Sequence, residues 1–178
     1  MKMNSQRVSV ALFVLSSCLI TEVQAQLQLG VGVNYLNSVG NVNSLSQDGA
    51  LGGGAMLRYF IAPQIALSLN GRYLTEGDSG YRINNLIGTI GADFFLSKGG
   101  NTRPYLGVEG GAYHTSFART LAKAPSVTNI GIAPKVGILF TLKPNVGLDV
   151  NLGYHLVFYE GYTGKNLLLG AGLVFDLD

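Results

Sequence analysis

From residue 26 onward, hydrophobic and polar positions alternate with a period of two, and the alternation restarts eight times. That period belongs to β-strands, whose successive side chains point to opposite faces. The pattern predicts strands at 27–36, 50–61, 64–74, 83–96, 104–114, 130–142, 145–157 and 166–177. The connections alternate in length. Those near Ala62-Pro63, from Ser97 to Arg103 and at Lys143-Pro144 are short, whereas those at 37–49, 75–82, 115–129 and 158–165 are long. Eight strands joined in this way describe an antiparallel up-and-down meander with short turns at one end and long loops at the other.

One phase of the strands is bulky and apolar. It gives Leu27, Leu29, Val31, Val33 and Tyr35 in the first strand and Val146, Leu148, Val150, Leu152, Tyr154 and Leu156 in the seventh, and no charge falls on it. The opposite phase mixes Gly, Ala and Ser with isolated polar groups, as in Gly147, Asp149, Asn151, Gly153 and His155. A soluble lipocalin-like barrel also alternates, with its apolar phase inside, but its polar phase meets water and has no size limit. Here the polar phase is dominated by small residues, which fit the narrow interior of a closed eight-stranded barrel. The pattern therefore predicts an all-β, eight-stranded antiparallel transmembrane β-barrel with its apolar phase toward lipid.

The aromatic residues point the same way. Tyr35, Tyr73, Tyr113, Tyr154 and Phe158 fall at the loop ends of strands, and Tyr59, Phe60, Phe94, Phe95, Tyr105, Phe140 and Phe175 at the turn ends. Two aromatic girdles around an apolar band mark outer-membrane barrels. Tyr105 and Tyr113 count with these belts by position, although by phase they point inward with Glu109.

Composition adds three constraints. Charged residues are 12% of the chain, about half the usual share, and Gly is 25 of 178 residues without any collagen-like period. No stretch reaches the ~20 apolar residues of a membrane helix. Residues 1–25 read as a secretory signal peptide: Lys2 and Arg7, an apolar run from Val8 to Ile20, and Val23-Gln24-Ala25 before a cleavage site. Leu15-Ser16-Ser17-Cys18 offers a competing lipidation site, less apt because Leu19 and Ile20 continue the apolar run. Residues 26–178 then form the barrel, with no cysteine and a net charge of +1, which gives no electrostatic case for nucleic acid.

The strand motifs PYLGVEGGAYH, IAPKVGILFTLKPNVGLDVNLGYH and the final LLLGAGLVFDLD resemble those of the small eight-stranded outer-membrane β-barrels. That family is typified by the transmembrane domain of outer membrane protein A and by outer membrane protein X. The resemblance covers residues 26–178 and implies a location in the bacterial outer membrane, contact with its lipid and lipopolysaccharide, and insertion by the barrel-assembly machinery. Two departures stand out. The last strand runs Phe175-Asp176-Leu177-Asp178 where the family often closes on an aromatic, and Pro134 lies inside the sixth strand, where it predicts a bulge or an irregular start.

The candidate chemistry is sparse. Arg58, Arg72, Asp93, Glu109, Lys135, Asp149 and His155 fall on the inward phase, three cations against three carboxylates plus one imidazole. An unpaired buried charge is costly, so these groups are expected to pair and plug the lumen, with Glu109 and Lys135 as the preferred pair. Eight strands leave no open channel, which argues against a general porin. His114 and Ser116 resemble the His-x-Ser motif of lipid A deacylases. A nucleophilic pair needs a third, orienting group, and position 128 is Thr. Two histidines at unrelated positions make no metal site, Gly52-Gly53-Gly54 opens no helix to cradle phosphate, and no cofactor is expected. The leading expectation is a non-enzymatic surface protein acting structurally or through loops 37–49 and 115–128, which could reach a host or envelope protein. Arg119 and Lys123 in the second of these loops could meet lipopolysaccharide phosphates. The alternatives are a lipid A-modifying hydrolase or a subunit of a larger envelope complex.

Overall fold

A computed structural model describes residues 26–39, 49–78, 81–119 and 122–177. The leader region 1–25 with Cys18, most of the first long loop and the side chains of Arg119 and Lys123 lie outside the described residues. Eight strands form one closed antiparallel barrel in chain order: β1 (Leu27–Ser38), β2 (Ala50–Ala62), β3 (Ile65–Asp78), β4 (Tyr81–Phe95), β5 (Thr102–Arg119), β6 (Ala122–Lys143), β7 (Val146–Tyr159) and β8 (Tyr162–Leu177). The seam between β1 and β8 is continuous from Leu27↔Leu177 to Ser38↔Asn166, so no sheet edge is left there to meet lipid.

The two phases of the strands face as a membrane demands. Outside, Ile90 and Ile130 are 69% and 70% exposed, and Val33, Leu51 and Leu86 are also open. Inside, Arg58 is fully buried and Glu109 is 2% exposed. That is a soluble barrel turned inside out, and it removes the lipocalin-like alternative. No described helix is long and apolar enough to cross a membrane; the crossing is made by strands. Tyr35, Tyr59, Tyr73, Phe94, Phe158 and Phe175 are exposed on the outer wall, with Tyr154 and Phe140 partly covered.

The short turns are tight. Pro63-Gln64 joins β2 to β3, and Pro144-Asn145 joins β6 to β7. Asn145 takes a left-handed φ of 64°, which its short polar side chain tolerates, and Pro144 ahead of it supplies the fixed φ of a turn's first central residue. The ladder shifts register beside each turn, at Phe60/Ala62 and at Thr141/Lys143.

At the opposite end, the strands outrun the apolar pattern. Residues 115–119 and 122–128 are strand rather than loop: Thr115↔Val127 and Ser116↔Ser126 continue the β5–β6 ladder, which reaches Arg119↔Ala122. Likewise β3 and β4 pair out to Asp78↔Tyr81, and β7 and β8 out to Tyr159↔Tyr162. The apolar alternation ends where the wall leaves lipid, but backbone pairing does not need it. At ~3.3 Å per residue and a tilt of about 40°, the 22 residues of β6 climb roughly 55 Å, about twice the ~25 Å apolar band of such barrels. The rise is lopsided. Above Ile130↔Phe158, β6 has no partner in β7, so residues 122–129 are paired only with β5 among the described residues.

Pro134 produces neither a bulge nor a strand start. The β6–β7 register is the same at Ile132↔Leu156 and at Lys135↔Gly153, with the two intervening pairings missing, and β6 begins twelve residues earlier. The missing donor interrupts the ladder, and the stiff closed wall holds the register across the gap.

Candidate functional site: a charged layer in the lumen

Six strands, β2 to β7, send ionised groups into the middle of the lumen. On the turn side, Arg58 of β2 lies 3.1 Å from Asp93 of β4 through Nε and 3.1 Å from Asp149 of β7 through Nη2. The Tyr105 hydroxyl on β5 donates to Asp149 at 3.0 Å, and the guanidinium lies over the rings of Tyr105 (4.9 Å) and Phe95 (5.3 Å). On the loop side, Arg72 of β3 grips both oxygens of Glu109 on β5, at 2.6 and 3.2 Å. Asn70 adds a bond to Glu109 at 3.1 Å, and Arg72 also reaches the Thr89 hydroxyl. Lys135 of β6 joins the halves, 2.8 Å from Asp93 and 3.5 Å from Glu109. His155 of β7 sits 3.9 Å from Glu109, with its Nδ1 2.7 Å from the Tyr113 hydroxyl.

Three cations and three carboxylates thus close into one neutral cluster. Taking such ions out of water costs several kcal/mol each by the usual order of magnitude, so the cluster is not a source of stability over an apolar filling. What it does impose is a penalty on breaking any one contact, because the remaining partner stays buried.

Apolar layers lie above and below the charges. Toward the loops, Leu36, Ala50, Leu74, Ile87, Tyr113, Val157 and Leu168 pack across the lumen. Toward the turns, Phe60, Ala66, Phe95, Tyr105, Leu139 and Val174 do the same. Arg103 caps this second layer: its guanidinium lies over Phe95 (4.4 Å) and Phe60 (5.1 Å) and donates to the Pro63 carbonyl at 2.6 Å. A layer of packed apolar side chains offers an ion no replacement for its hydration.

Two expectations change. Glu109 makes its short contact with Arg72, and Lys135 is nearer to Asp93 than to Glu109. In the β5–β6 register Lys135 stands opposite Gly107 and Glu109 opposite Ala133, and a hydrogen atom in place of a side chain at Gly107 leaves Lys135 room to lean toward Asp93. Tyr105 and Tyr113 are also not part of the aromatic belts. Both are buried, as are Phe60 and Phe95, because strand phase outranks nearness to a strand end.

His114 lies at the rim, half-buried, with its Nδ1 2.8 Å from the Thr128 hydroxyl across the β5–β6 ladder. Ser116 pairs in register with Ser126 and Asn84. No carboxylate is bonded to this imidazole among the described residues, so the arrangement lacks the orienting acid that a hydrolytic triad uses. Nor is there a group of three or more His, Cys, Asp or Glu side chains placed to hold a metal ion among the described residues.

No protein-family model matches the chain. No curated protein matches it in sequence. Its fold, however, recurs in solved structures. Ail, the attachment invasion locus protein of Yersinia pestis, in complex with the heparin analogue sucrose octasulfate, superposes with a TM-score of 0.64 at 13% identity, over 87% of this chain and 100% of that one. Neisserial surface protein A gives 0.65 at 16% identity, over 86% and 97%. The N-terminal β-barrel domain of Pseudomonas aeruginosa OprF gives 0.56 at 16% identity, over 86% and 100%. The chain therefore has the fold of the small eight-stranded outer-membrane β-barrels.

Proposed function

We propose that this protein is a non-enzymatic bacterial outer-membrane barrel, exported through a cleaved signal peptide, whose lumen is plugged and whose long-loop end makes the functional contacts. The observation that carries the reading is the layering of the lumen, charges between two apolar layers, which leaves the exterior rather than the interior to meet a ligand. The β5–β6 hairpin is the part best suited to do so, since it rises past the rest of the wall with residues 122–129 unpaired on one side among the described residues. Such an edge can accept an extended segment of a host or envelope protein. Arg82, Arg119, Lys123 and Lys165 lie on the loop-end segments of β4, β5, β6 and β8, where they could meet lipopolysaccharide phosphates or an anionic glycan of the kind seen with Ail.

The test is to replace residues 117–124 by a two-residue turn and compare both barrels in nanodiscs for binding to lipopolysaccharide, to heparin and to immobilised envelope and host-surface proteins. The reading expects binding by the full chain, lost with the hairpin, while the heat-dependent gel shift of a folded barrel persists. Absence of binding by the full chain, or binding that survives the trimming, contradicts it. A lipid A mass spectrum from cells with and without the protein should be identical; a lost acyl chain would restore the hydrolase reading.

A further inference from the structure

The lumen does not end on its loop-side apolar layer. One inward step nearer the loops, the strands turn polar. Ser38, Glu76, Asn85, Thr115 and Asn166 stand two residues beyond Leu36, Leu74, Ile87, Tyr113 and Leu168, and Asn129 stands two beyond Gly131, the partner of Val157. The six form a polar ring above an apolar floor. Asn85 is 8% exposed, and the other five are half-buried. Hydroxyls orient two of the amides: Thr115 Oγ1 donates to Asn85 Oδ1 and Ser38 Oγ to Asn166 Oδ1, each at 2.9 Å. The amide nitrogens of Asn85 and Asn129 are buried, yet neither has a hydrogen-bond partner among the described residues. An unmade bond at such a donor costs about 1–3 kcal/mol, so the ring holds donors in reserve.

An aromatic platform completes the mouth. Tyr159 and Tyr162 pair across the two-residue turn Glu160-Gly161, with ring centroids 4.6 Å apart and planes within 5°. Gly161 takes the left-handed φ of 83° that so tight a hairpin needs. Gly164 makes room for the stack, since a Cβ there would lie 2.7 Å from the Tyr159 ring. Tyr159 rests against the apolar floor, whereas Tyr162 is 52% exposed. Cross-strand packing alone would account for the stack, but not for the unused amides on β4 and β6.

We infer that this mouth is a binding site for one uncharged sugar residue of a glycan. A pyranose ring has a C–H face that lies flat on an aromatic ring and an edge of hydroxyls that both give and take hydrogen bonds. Tyr162 supplies the surface, the Asn85 and Asn129 amides supply donors, and Glu76 supplies an acceptor. The ring of six carries one carboxylate and no cation, so a phosphate or sulfate finds no counter-charge in it. A purely apolar guest would leave the amides unpaired. The inference rests on the reading that the loop end makes the functional contacts, and it places one of them inside the mouth rather than on the β5–β6 hairpin.

The test is saturation-transfer NMR on the full barrel in nanodiscs, with the methyl glycosides of glucose, galactose, mannose and N-acetylglucosamine as probes and glucose 6-phosphate as the anionic comparison. At least one neutral glycoside should receive saturation, and more than glucose 6-phosphate does. Tyr162→Ala and Asn129→Leu should each weaken that binding by about tenfold, while Tyr162→Phe, which keeps the ring, retains it. The heat-dependent gel shift confirms that each variant is folded, and Tyr162→Phe carries the test should Asn129→Leu fail to fold. No transfer to any neutral glycoside, stronger transfer to glucose 6-phosphate, or binding indifferent to Tyr162→Ala overturns the inference. The barrel trimmed of residues 117–124 should still bind the sugar. Loss there would also overturn the mouth as the site, whereas a failure of sugar binding alone leaves the hairpin reading standing.

Discussion

Arg58 and Arg72 are both buried guanidiniums on inward positions of adjacent strands, yet they are held differently. Arg58 is bracketed by two carboxylates and covered by the rings of Phe95 and Tyr105, so every direction from its head group is occupied. Arg72 has one carboxylate, gripped at shorter range, and its other side borders a small space lined by Gly54, Gly170, Asn34 and Asn151. The difference comes from what each strand's neighbours place opposite. Bulky rings crowd the turn side of the lumen, and glycine and asparagine line the space beside Arg72. A closed barrel of eight strands can thus be rigid at one depth and roomy at another.

The largest effect expected from this contrast is at Arg58. Arg58→Met leaves Asp149 without a cation and Asp93 with Lys135 alone, at a cost of about 3–5 kcal/mol in urea-induced unfolding from lipid bilayers. A variant as stable as the parent would show that the bracket is not what holds the turn side. Arg72→Met should cost less, about 1.5–3 kcal/mol, because Glu109 retains Lys135 at 3.5 Å. The double variant Arg72→Met/Glu109→Gln should recover part of that loss, and an additive outcome would deny the pairing. Smaller still is Tyr105→Phe, which deletes one hydroxyl bonded to Asp149 for about 1–2 kcal/mol; a loss equal to that of Arg58→Met would mean the ring, not the ion pairs, anchors the cluster. The smallest changes belong to the rim. His114→Ala and Ser116→Ala should each shift stability by less than about 0.5 kcal/mol and leave lipid A acylation as it was.

The wall of this barrel was legible because its two faces obey opposite rules. Lipid admits only the apolar phase of β1, β3, β7 and β8, and the narrow lumen admits glycine and a few long polar groups, so period-two alternation carries the fold. The six charges of the lumen layer and His155 could be named from phase alone. Their pairing could not, since Glu109 finds Arg72 two strands away across the lumen, a contact set by tilt and stagger rather than by sequence neighbours. The two apolar layers were hidden for a different reason. Leu36, Leu74, Ile87, Val157 and Leu168 are inward positions that turn apolar near the loop end, where the eye reads them as part of the outer band. Following phase to the ends of each strand finds them, just as it already turns Tyr105 and Tyr113 inward. The extension of β5 and β6 gave no such signal, because Thr115, Ser116, Ser126 and Thr128 stand above lipid, where polar residues suit both faces of a strand.

Ion conductance across a planar lipid bilayer tests the central claim most directly, that charges sealed between two apolar layers close the lumen. The purified, folded barrel should insert without producing steady conductance steps at neutral pH in molar salt. Stable open levels from the unmodified protein, abolished when it is left out, would contradict the account.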